Sequence, residues 1–247
     1  MLKETGACLC HERLSMEGFM KIVYFHWFYR KMIDRLVVKT LKGRARDRRD
    51  FGKGRLTGAE LKTVTKACWK EYAVLAENPP VFVSQGGRAM AYKCIYIQSL
   101  YRTIQKAVPH EPYAGELVAD FCWKFYEQSA GLPRALAFVL YRSPLSRLRF
   151  VVRVALRFAF TSPDFAWTLT PLANGYQVDF HRCQAWEFMK TLEGDELTFF
   201  KHCWCNQDRP LNEILVKGGV FQRAHCLAEG DGVCDMKWTT GEAIGRK

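Results

Sequence analysis

The sequence predicts an α+β fold, in which a helical N-terminal half is followed by a four-stranded antiparallel sheet with helices packed on one face. Three observations lead to this prediction. Residues 1–160 hold long runs whose apolar side chains recur at helical spacing. Near residue 161 the period changes to two, as in strands with one buried face. The last third then holds two pairs of extended runs, and each pair is joined by a glycine-containing turn.

The helical half divides into five segments with recognisable ends. Thr57 precedes the second segment as an N-cap, and Glu60, three residues later, has capping-box spacing. Gly131 is the expected stop of the fourth segment. Pro144 divides the last segment, since proline cannot continue a helix. The predicted helices span residues 16–41, 56–77, 88–108, 111–131 and 133–160.

The C-terminal third reads as hairpin, helices, hairpin. Asn174-Gly175 lies between two extended runs, and this dipeptide favours a tight turn that needs positive φ. Residues 184–215 read as two helices with a break at Gly194. Residues 219–238 form the second predicted hairpin, whose Gly-Asp-Gly turn would bring Cys226 close to Cys234.

The charge is unevenly spread over three predicted regions. These are a basic N-terminal helix and loop (1–55), a helical region (56–160) and an α+β region carrying the candidate site (161–247), with 56–247 expected to form one compact domain. The chain has a net charge of +12, but residues 1–160 carry +15 and the remainder −3. The basic half therefore favours an anionic partner such as a membrane surface. Nucleic acid is not favoured, because no finger, homeodomain or RNP-type motif accompanies the charge.

Two features of the sequence, an arginine-rich helix face and a pair of glycines, each allow two interpretations. Arg149, Arg153 and Arg157 share one helix face, which is either a solvated face or a surface for anions. Gly86 and Gly87 precede a helix and either permit a plain turn or expose backbone N–H groups to an anion.

Cysteine usage predicts a reducing, cytoplasmic location. There are ten cysteines, and Cys68, Cys94 and Cys122 lie in apolar helical runs, where they behave as small buried hydrophobes. The polar opening of the chain does not read as a signal peptide, and no run is apolar enough to span a membrane. The sequence is compatible with either a monomer or a homo-oligomer.

Reactive side chains concentrate in the C-terminal third. A reactive cysteine needs a neighbour that favours the thiolate, and Cys234 at the mouth of the second hairpin lies near Arg223 on that geometry. Zinc is the alternative, but no C-x2-C pair is present, and Cys203 and Cys205 would point to opposite sides of a helix.

The C-terminal order of residues resembles the end of the L-2-amino-thiazoline-4-carboxylic acid hydrolase family. The resemblance runs from about residue 50 to 239 and is carried by "CWCNQD", "FQRAHCLAEGDGVCDMKW" and the earlier "DFHRCQAWEF". That family typically has a Cys-x-x-x-x-Asp helix, an aromatic-x-Arg strand and Leu-Ala-x-Gly-x-x-x-Cys-Asp before an aromatic residue. The matching positions are Cys203, Asp208, Phe221, Arg223, Leu227, Ala228, Gly230, Cys234, Asp235 and Trp238.

The resemblance implies hydrolysis of a small cyclic amidine-like carboxylate. Such a reaction needs a nucleophile at the ring carbon between nitrogen and sulfur, a proton donor for the departing group and a cation for the carboxylate. The implied catalytic residues are Cys234 or Cys203 as nucleophile and Asp208 as general base or orienting residue, without a cofactor. Arg223 is the implied carboxylate clamp. The other implied substrate-binding residues are Asp235, His181 and Cys183.

A second resemblance keeps a non-enzymatic function open. The C-x-A-x-G-D-x-x-C pattern is similar to small-molecule-binding or zinc-binding sensory domains of the 4-vinyl-reductase type. In that case the zinc ligands would be Cys226, Glu229 and Cys234.

Overall fold

The computed structural model of the protein describes residues 16–108 and 111–241, and it confirms the predicted α+β fold. Five long helices precede the sheet, and three short helices lie between its hairpins. The helices are α1 Met16–Leu41, α2 Gly58–Leu75, α3 Gln85–Ala107, α4 Glu111–Leu140, α5 Pro144–Phe158, α6 Gln184–Met189, α7 Gly194–Phe200 and α8 Asp208–Leu215. The strands are β1 Ala166–Leu172, β2 Gly175–Arg182, β3 Val220–Arg223 and β4 Cys234–Thr239.

The sheet is antiparallel throughout, with strand order β1-β2-β4-β3. Along β2, the side chains of Tyr176, Val178 and Phe180 are buried, and the residues between them are less so. This alternation is the two-residue period that the sequence showed. α5 and α8 pack against the sheet, so its buried face is covered by helices as predicted.

One hydrophobic cluster runs from α1 to β4, and α3 lies at its centre. Residues Cys94 to Tyr101 of α3 are all buried, because α2, α4 and α6 pack around this helix. The cluster begins at Ile33 in α1 and ends at Cys234 in β4. The N-terminal helix and the site-bearing region therefore share a core.

The ends of α2 and α3 follow from local hydrogen bonding. The predicted capping box is confirmed: Thr57 accepts from the Glu60 N–H, and the Glu60 carboxylate accepts from the Thr57 N–H. At the start of α3, the carboxylate of Asp164 accepts from the backbone N–H groups of Val83 and Ser84. The protein's own carboxylate thus occupies the place where an external anion was considered.

Gly86 and Gly87 are required by the close approach of residues 159–164. A Cβ on Gly86 would lie 2.5 Å from the Ala159 carbonyl oxygen, and one on Gly87 would lie 2.0 Å from an oxygen of Asp164. Both glycines belong to the first turn of α3 rather than to a loop before it.

Two sequence expectations about glycine differ from the structure. α4 does not stop at Gly131 but continues to Leu140, and this continuation places Ala137 in the core. The first hairpin is present, but its connection is Ala173-Asn174, and Gly175 pairs within β2 without positive φ. A Cβ on Gly175 would lie 1.9 Å from the carbonyl oxygen of Trp238 in β4. Close strand approach, not turn geometry, selects this glycine.

The basic segment after α1 is fixed to neighbouring helices by ion pairs. Arg44 pairs with Asp120 of α4, Arg48 with Glu116 of α4, and Arg46 with Glu60 of α2. On α5, Arg149 donates to the Leu172 carbonyl at 2.8 Å. The guanidinium groups of Arg149 and Arg153 both lie 5.6 Å from the centre of the Tyr176 ring. Much of the basic charge is therefore used within the fold.

None of the helices in the part of the chain that the structure describes is both long and apolar enough to cross a bilayer. The expectation that no signal peptide opens the chain concerns residues 1–15, which lie outside the described residues.

Candidate functional site

A single π-helical turn, Lys201–Cys205, follows α7 and contains both Cys203 and Cys205. Cys203 contacts the Cys122 thiol of α4 and accepts a hydrogen bond from the Gln207 amide at 3.8 Å. Cys205 contacts the Cys226 thiol instead. The two residues thus point in different directions, as their spacing predicted. π-Helical turns recur at functional sites because the inserted residue re-aims the side chains around it.

The connection between β3 and β4 folds back on itself and places Cys226 beside Cys234. The Asp231 carboxylate accepts from the Cys226 N–H at 2.7 Å, and the Asp231 N–H donates to the Cys226 carbonyl at 3.3 Å. Gly230 ends the enclosed 3-10 turn with a φ of +97°. The predicted proximity of the Cys226 and Cys234 thiols is confirmed. The connection is longer than the Gly-Asp-Gly turn that was expected.

Asp235 anchors the other side of this connection. Its carboxylate accepts from the backbone N–H groups of Ala224 at 2.9 Å and His225 at 2.6 Å, and it lies 3.1 Å from Nδ1 of the His225 ring. The carboxylate that was expected to bind substrate therefore holds the loop that carries Cys226.

Three thiols, which we call the thiol trio, meet where these elements join: Cys205, Cys226 and Cys234. Cys226 contacts both of the others. Hydrogen bonds from Cys205 and Cys234, then the Ala228 N–H and the nearby guanidinium of Arg223, lower the pKa of the Cys226 thiol. The same contacts raise the pKa of Cys205 and Cys234. The trio therefore favours ionisation of Cys226 over ionisation of the other two thiols.

Arg223 and Asp208 lie next to the trio. Nη1 of Arg223 donates to the Cys205 carbonyl at 2.9 Å and lies 3.7 Å from Oδ2 of Asp208. The Arg223 side chain is 8% exposed and that of Asp208 is 18% exposed. Burial raises the pKa of Asp208 to about 7; Arg223 opposes this rise, and Cys226 adds to it. A carboxyl group that titrates near neutrality can both give and take a proton.

Cys183, Cys205 and Asp208 are surrounded by protein, yet each keeps part of its surface accessible. We infer from this combination that these three side chains line a recess. A small molecule in that recess would contact the trio.

The remaining candidates lie apart from the trio. His181 is exposed on β2, with Nε2 3.2 Å from the Thr168 hydroxyl. Glu229, which was considered as a zinc ligand, has its carboxylate 3.9 Å from Nζ of Lys201 and is largely exposed. Among the side chains that the structure describes, no group of three or more His, Cys, Asp or Glu is arranged to hold a metal ion.

The sequence did not predict Cys205 as a site residue, nor did it predict that Cys226 lies between the other two thiols of the trio. One signal for Cys205 was present, because it lies three residues before Asp208, a spacing that puts two side chains on one helix face. No comparable signal marked Cys226, whose place depends on the fold of residues 224–233.

Comparison of the chain with protein-family models, curated proteins and solved structures finds no match. The two resemblances drawn from the sequence stay predictions.

Proposed function

We propose that the protein is a hydrolase of the L-2-amino-thiazoline-4-carboxylic acid hydrolase type. It would cleave a C–N or C–S bond in the ring of a small cyclic amidine-like carboxylate. The observation that carries this proposal is the position of Cys226, whose pKa is lowered by its neighbouring thiols, beside Asp208, whose pKa is raised to about 7. A nucleophile that ionises readily and a proton donor that titrates near neutrality are the two groups that such a ring opening needs.

In the proposed reaction, the Cys226 thiolate attacks the ring carbon between nitrogen and sulfur. The bond from that carbon to the ring sulfur breaks, and the sulfur leaves as a thiol that takes its proton from Asp208. Water then attacks the same carbon, Asp208 accepts the proton of the water, and the Cys226 thiolate departs. The net change is the addition of one water, which gives an N-carbamoyl-cysteine product without any oxidant or reductant.

The pH dependence of turnover tests the role of Asp208. We expect the protein to hydrolyse 2-amino-thiazoline-4-carboxylate at a rate that falls above a pH of about 7, because only the protonated Asp208 can donate to the leaving sulfur. Asp208→Asn should lower kcat by about 10²- to 10⁴-fold and remove this alkaline limb. Exposed Asp195 provides the control, since Asp195→Asn should leave the profile unchanged. Full activity of Asp208→Asn, or no thiol release from any cyclic amidine by the unaltered protein, would contradict the proposal.

The alternative is a non-enzymatic sensory domain of the 4-vinyl-reductase type that binds a small molecule or zinc. The geometry favours the hydrolase, because passive binding has no need of a carboxyl group that titrates near neutrality. Stoichiometric zinc in the purified protein that is lost in Cys226→Ser would favour the sensory domain.

We also propose that the end of α4 contacts an anionic lipid surface. Phe138, Val139 and Leu140 are 66%, 81% and 60% exposed. The guanidinium of Arg147 lies 4.2 Å from the centre of the Phe138 ring. Adjacent exposed apolar and cationic side chains suit the headgroup region of an anionic bilayer.

Vesicle sedimentation tests this surface. We expect more binding to vesicles of mixed phosphatidylcholine and phosphatidylglycerol than to phosphatidylcholine alone. The double substitution Phe138→Ser with Val139→Ser should lower the affinity about tenfold, because it removes apolar surface that the bilayer would bury. Val74 on α2 is 65% exposed, so Val74→Ser is a matched control with no expected effect. Equal binding to both vesicle types would argue against the lipid contact.

Free thiols are consistent with the proposed reducing, cytoplasmic location. All eight cysteines in the described part of the chain are unbridged, and the proposed mechanism needs the trio in its reduced form.

A further inference from the structure

Lys93 of α3 carries an amine that the proposed reaction does not use. Three aromatic rings surround it, with Nζ 5.1 Å from the ring centre of Phe125 and 5.5 Å from those of Tyr126 and Trp204. Two of these rings belong to α4 and the third to the π-helical turn that ends in Cys205. Such a cage attracts a cation through the ring faces.

Within the described residues, the amine of Lys93 has neither a hydrogen bond nor an ion pair. The titratable groups around it are the thiols of Cys94 on its own helix and Cys122 on α4, together with the Tyr126 hydroxyl. Cys183 before α6 and Cys203 in the π-helical turn are the next groups outward. Among the residues that the structure describes, no carboxylate faces the amine, and burial lowers the pKa of Lys93. A buried ammonium is stabilised by a paired anion, so the surroundings of the Lys93 amine suit an anionic group of a ligand.

Lys93 lies close to the candidate site, and we assign it to the same inferred recess. Like Cys183 and Asp208, both Lys93 and Tyr126 are enclosed by protein and keep some accessible surface. Tyr126 lies between Lys93 and the candidate site. Its ring contacts the amine of Lys93, and its hydroxyl interacts electrostatically with Asp208 and Cys183. Cys183 in turn is coupled to Cys226.

We propose that Lys93 binds the carboxylate of the substrate and so directs the ring toward Cys226. This inference takes the identity of the ligand from the proposed function. It replaces Arg223 as the carboxylate clamp, because the Arg223 guanidinium is already held by the Cys205 carbonyl and Asp208. The carboxylate pairs with the protonated amine, and the aromatic cage surrounds the resulting ammonium.

The proposal couples binding to proton uptake. In the free protein burial lowers the pKa of Lys93, and a bound carboxylate raises it by favouring the protonated form of the amine. Affinity therefore falls as pH rises between the pKa of Lys93 in the free and in the bound protein, by up to about tenfold per pH unit. A carboxylate bound by a permanently charged arginine would show no such uptake.

Titration calorimetry with two matched probes tests this coupling. The probes are 2-aminothiazole-4-carboxylate, whose aromatic ring resists opening, and its neutral carboxamide. We expect the intact protein to bind the acid at least about tenfold more tightly than the amide. In phosphate and Tris buffers of the same pH, the observed enthalpies should show uptake of up to about one proton with the acid and none with the amide.

Lys93→Met keeps the apolar stem and removes the amine. We expect it to weaken binding of the acid by about 10- to 100-fold, abolish the proton uptake and leave amide binding unchanged, which also reports an intact recess. Lys66→Met, at an exposed position on α2, is the control. Equal binding of acid and amide by the intact protein, no binding of the acid, or unchanged acid binding by Lys93→Met would each overturn the proposal. If Lys93→Met binds neither probe, the intact protein decides the matter: tighter binding of the acid than of the amide, together with proton uptake, would support the Lys93 site, and the lack of either would overturn it.

Binding and turnover can fail separately. Acid binding with proton uptake but no ring opening of 2-amino-thiazoline-4-carboxylate would retain the Lys93 site and reject the hydrolase. Turnover combined with an unchanged KM in Lys93→Met would retain the hydrolase and reject the site.

Discussion

Cys226→Ser is expected to lower kcat for the cyclic amidine by about 10³-fold or more, because a serine hydroxyl at this position is not ionised and is a far weaker nucleophile. Cys205→Ala and Cys234→Ala should have smaller effects, about 10- to 100-fold, since each removes one hydrogen-bond donor to the thiolate. The same two variants should raise the pKa of Cys226. Iodoacetamide alkylation of the protein followed against pH measures that rise.

Cys203→Ala is the control for this series. It lies in the same π-helical turn as Cys205, but its thiol contacts Cys122 and Gln207 rather than the trio. We therefore expect Cys203→Ala to retain kcat and the alkylation profile. If Cys234→Ser abolished turnover while Cys226→Ser kept it, the nucleophile would be Cys234, the residue that the family resemblance favoured.

The features that sequence reasoning predicted correctly depend on local interactions. The capping box at Thr57 and Glu60 needs only residues three apart, and the change from helical period to two-residue period near residue 161 is visible in any short window. The approach of Cys226 to Cys234 follows from antiparallel pairing of two neighbouring strands. Each of these is decided within about twenty residues of sequence.

The features that it did not predict need contacts between distant parts of the chain. Cys226 becomes central only because the π-helical turn aims Cys205 at it. The environment of Lys93 likewise depends on distant residues, because α4 and that turn supply the three rings around its amine. Gly131 reads as a helix stop in isolation, and only the core position of Ala137 explains why α4 continues. Side-chain spacing carries none of this information.

Gly175→Ala is expected to reduce the free energy of unfolding by about 3 kcal/mol or more, the largest stability effect that we expect of a single methyl group in this sheet. The added Cβ would lie 1.9 Å from the Trp238 carbonyl oxygen and 2.8 Å from the Thr239 Cα. Both are backbone atoms of the neighbouring strand, so no side-chain rotation relieves the clash. The β2–β4 ladder must separate locally, and urea denaturation measures the loss.

Gly131→Ala is the matched control, because a Cβ there has no neighbour within 4 Å and the residue lies inside α4. It should raise the free energy of unfolding by up to about 1 kcal/mol through helix propensity. Equal stability of the two variants would mean that β2 and β4 are not in close register at Gly175. Gly175 pairs with Thr239 at the end of β4, whereas Cys234 begins that strand and pairs with Phe180. A local separation at Gly175 should therefore leave the contact between Cys234 and Cys226 intact and the pKa of Cys226 in the folded fraction unchanged. A rise in that pKa would mean that the whole of β4 has shifted.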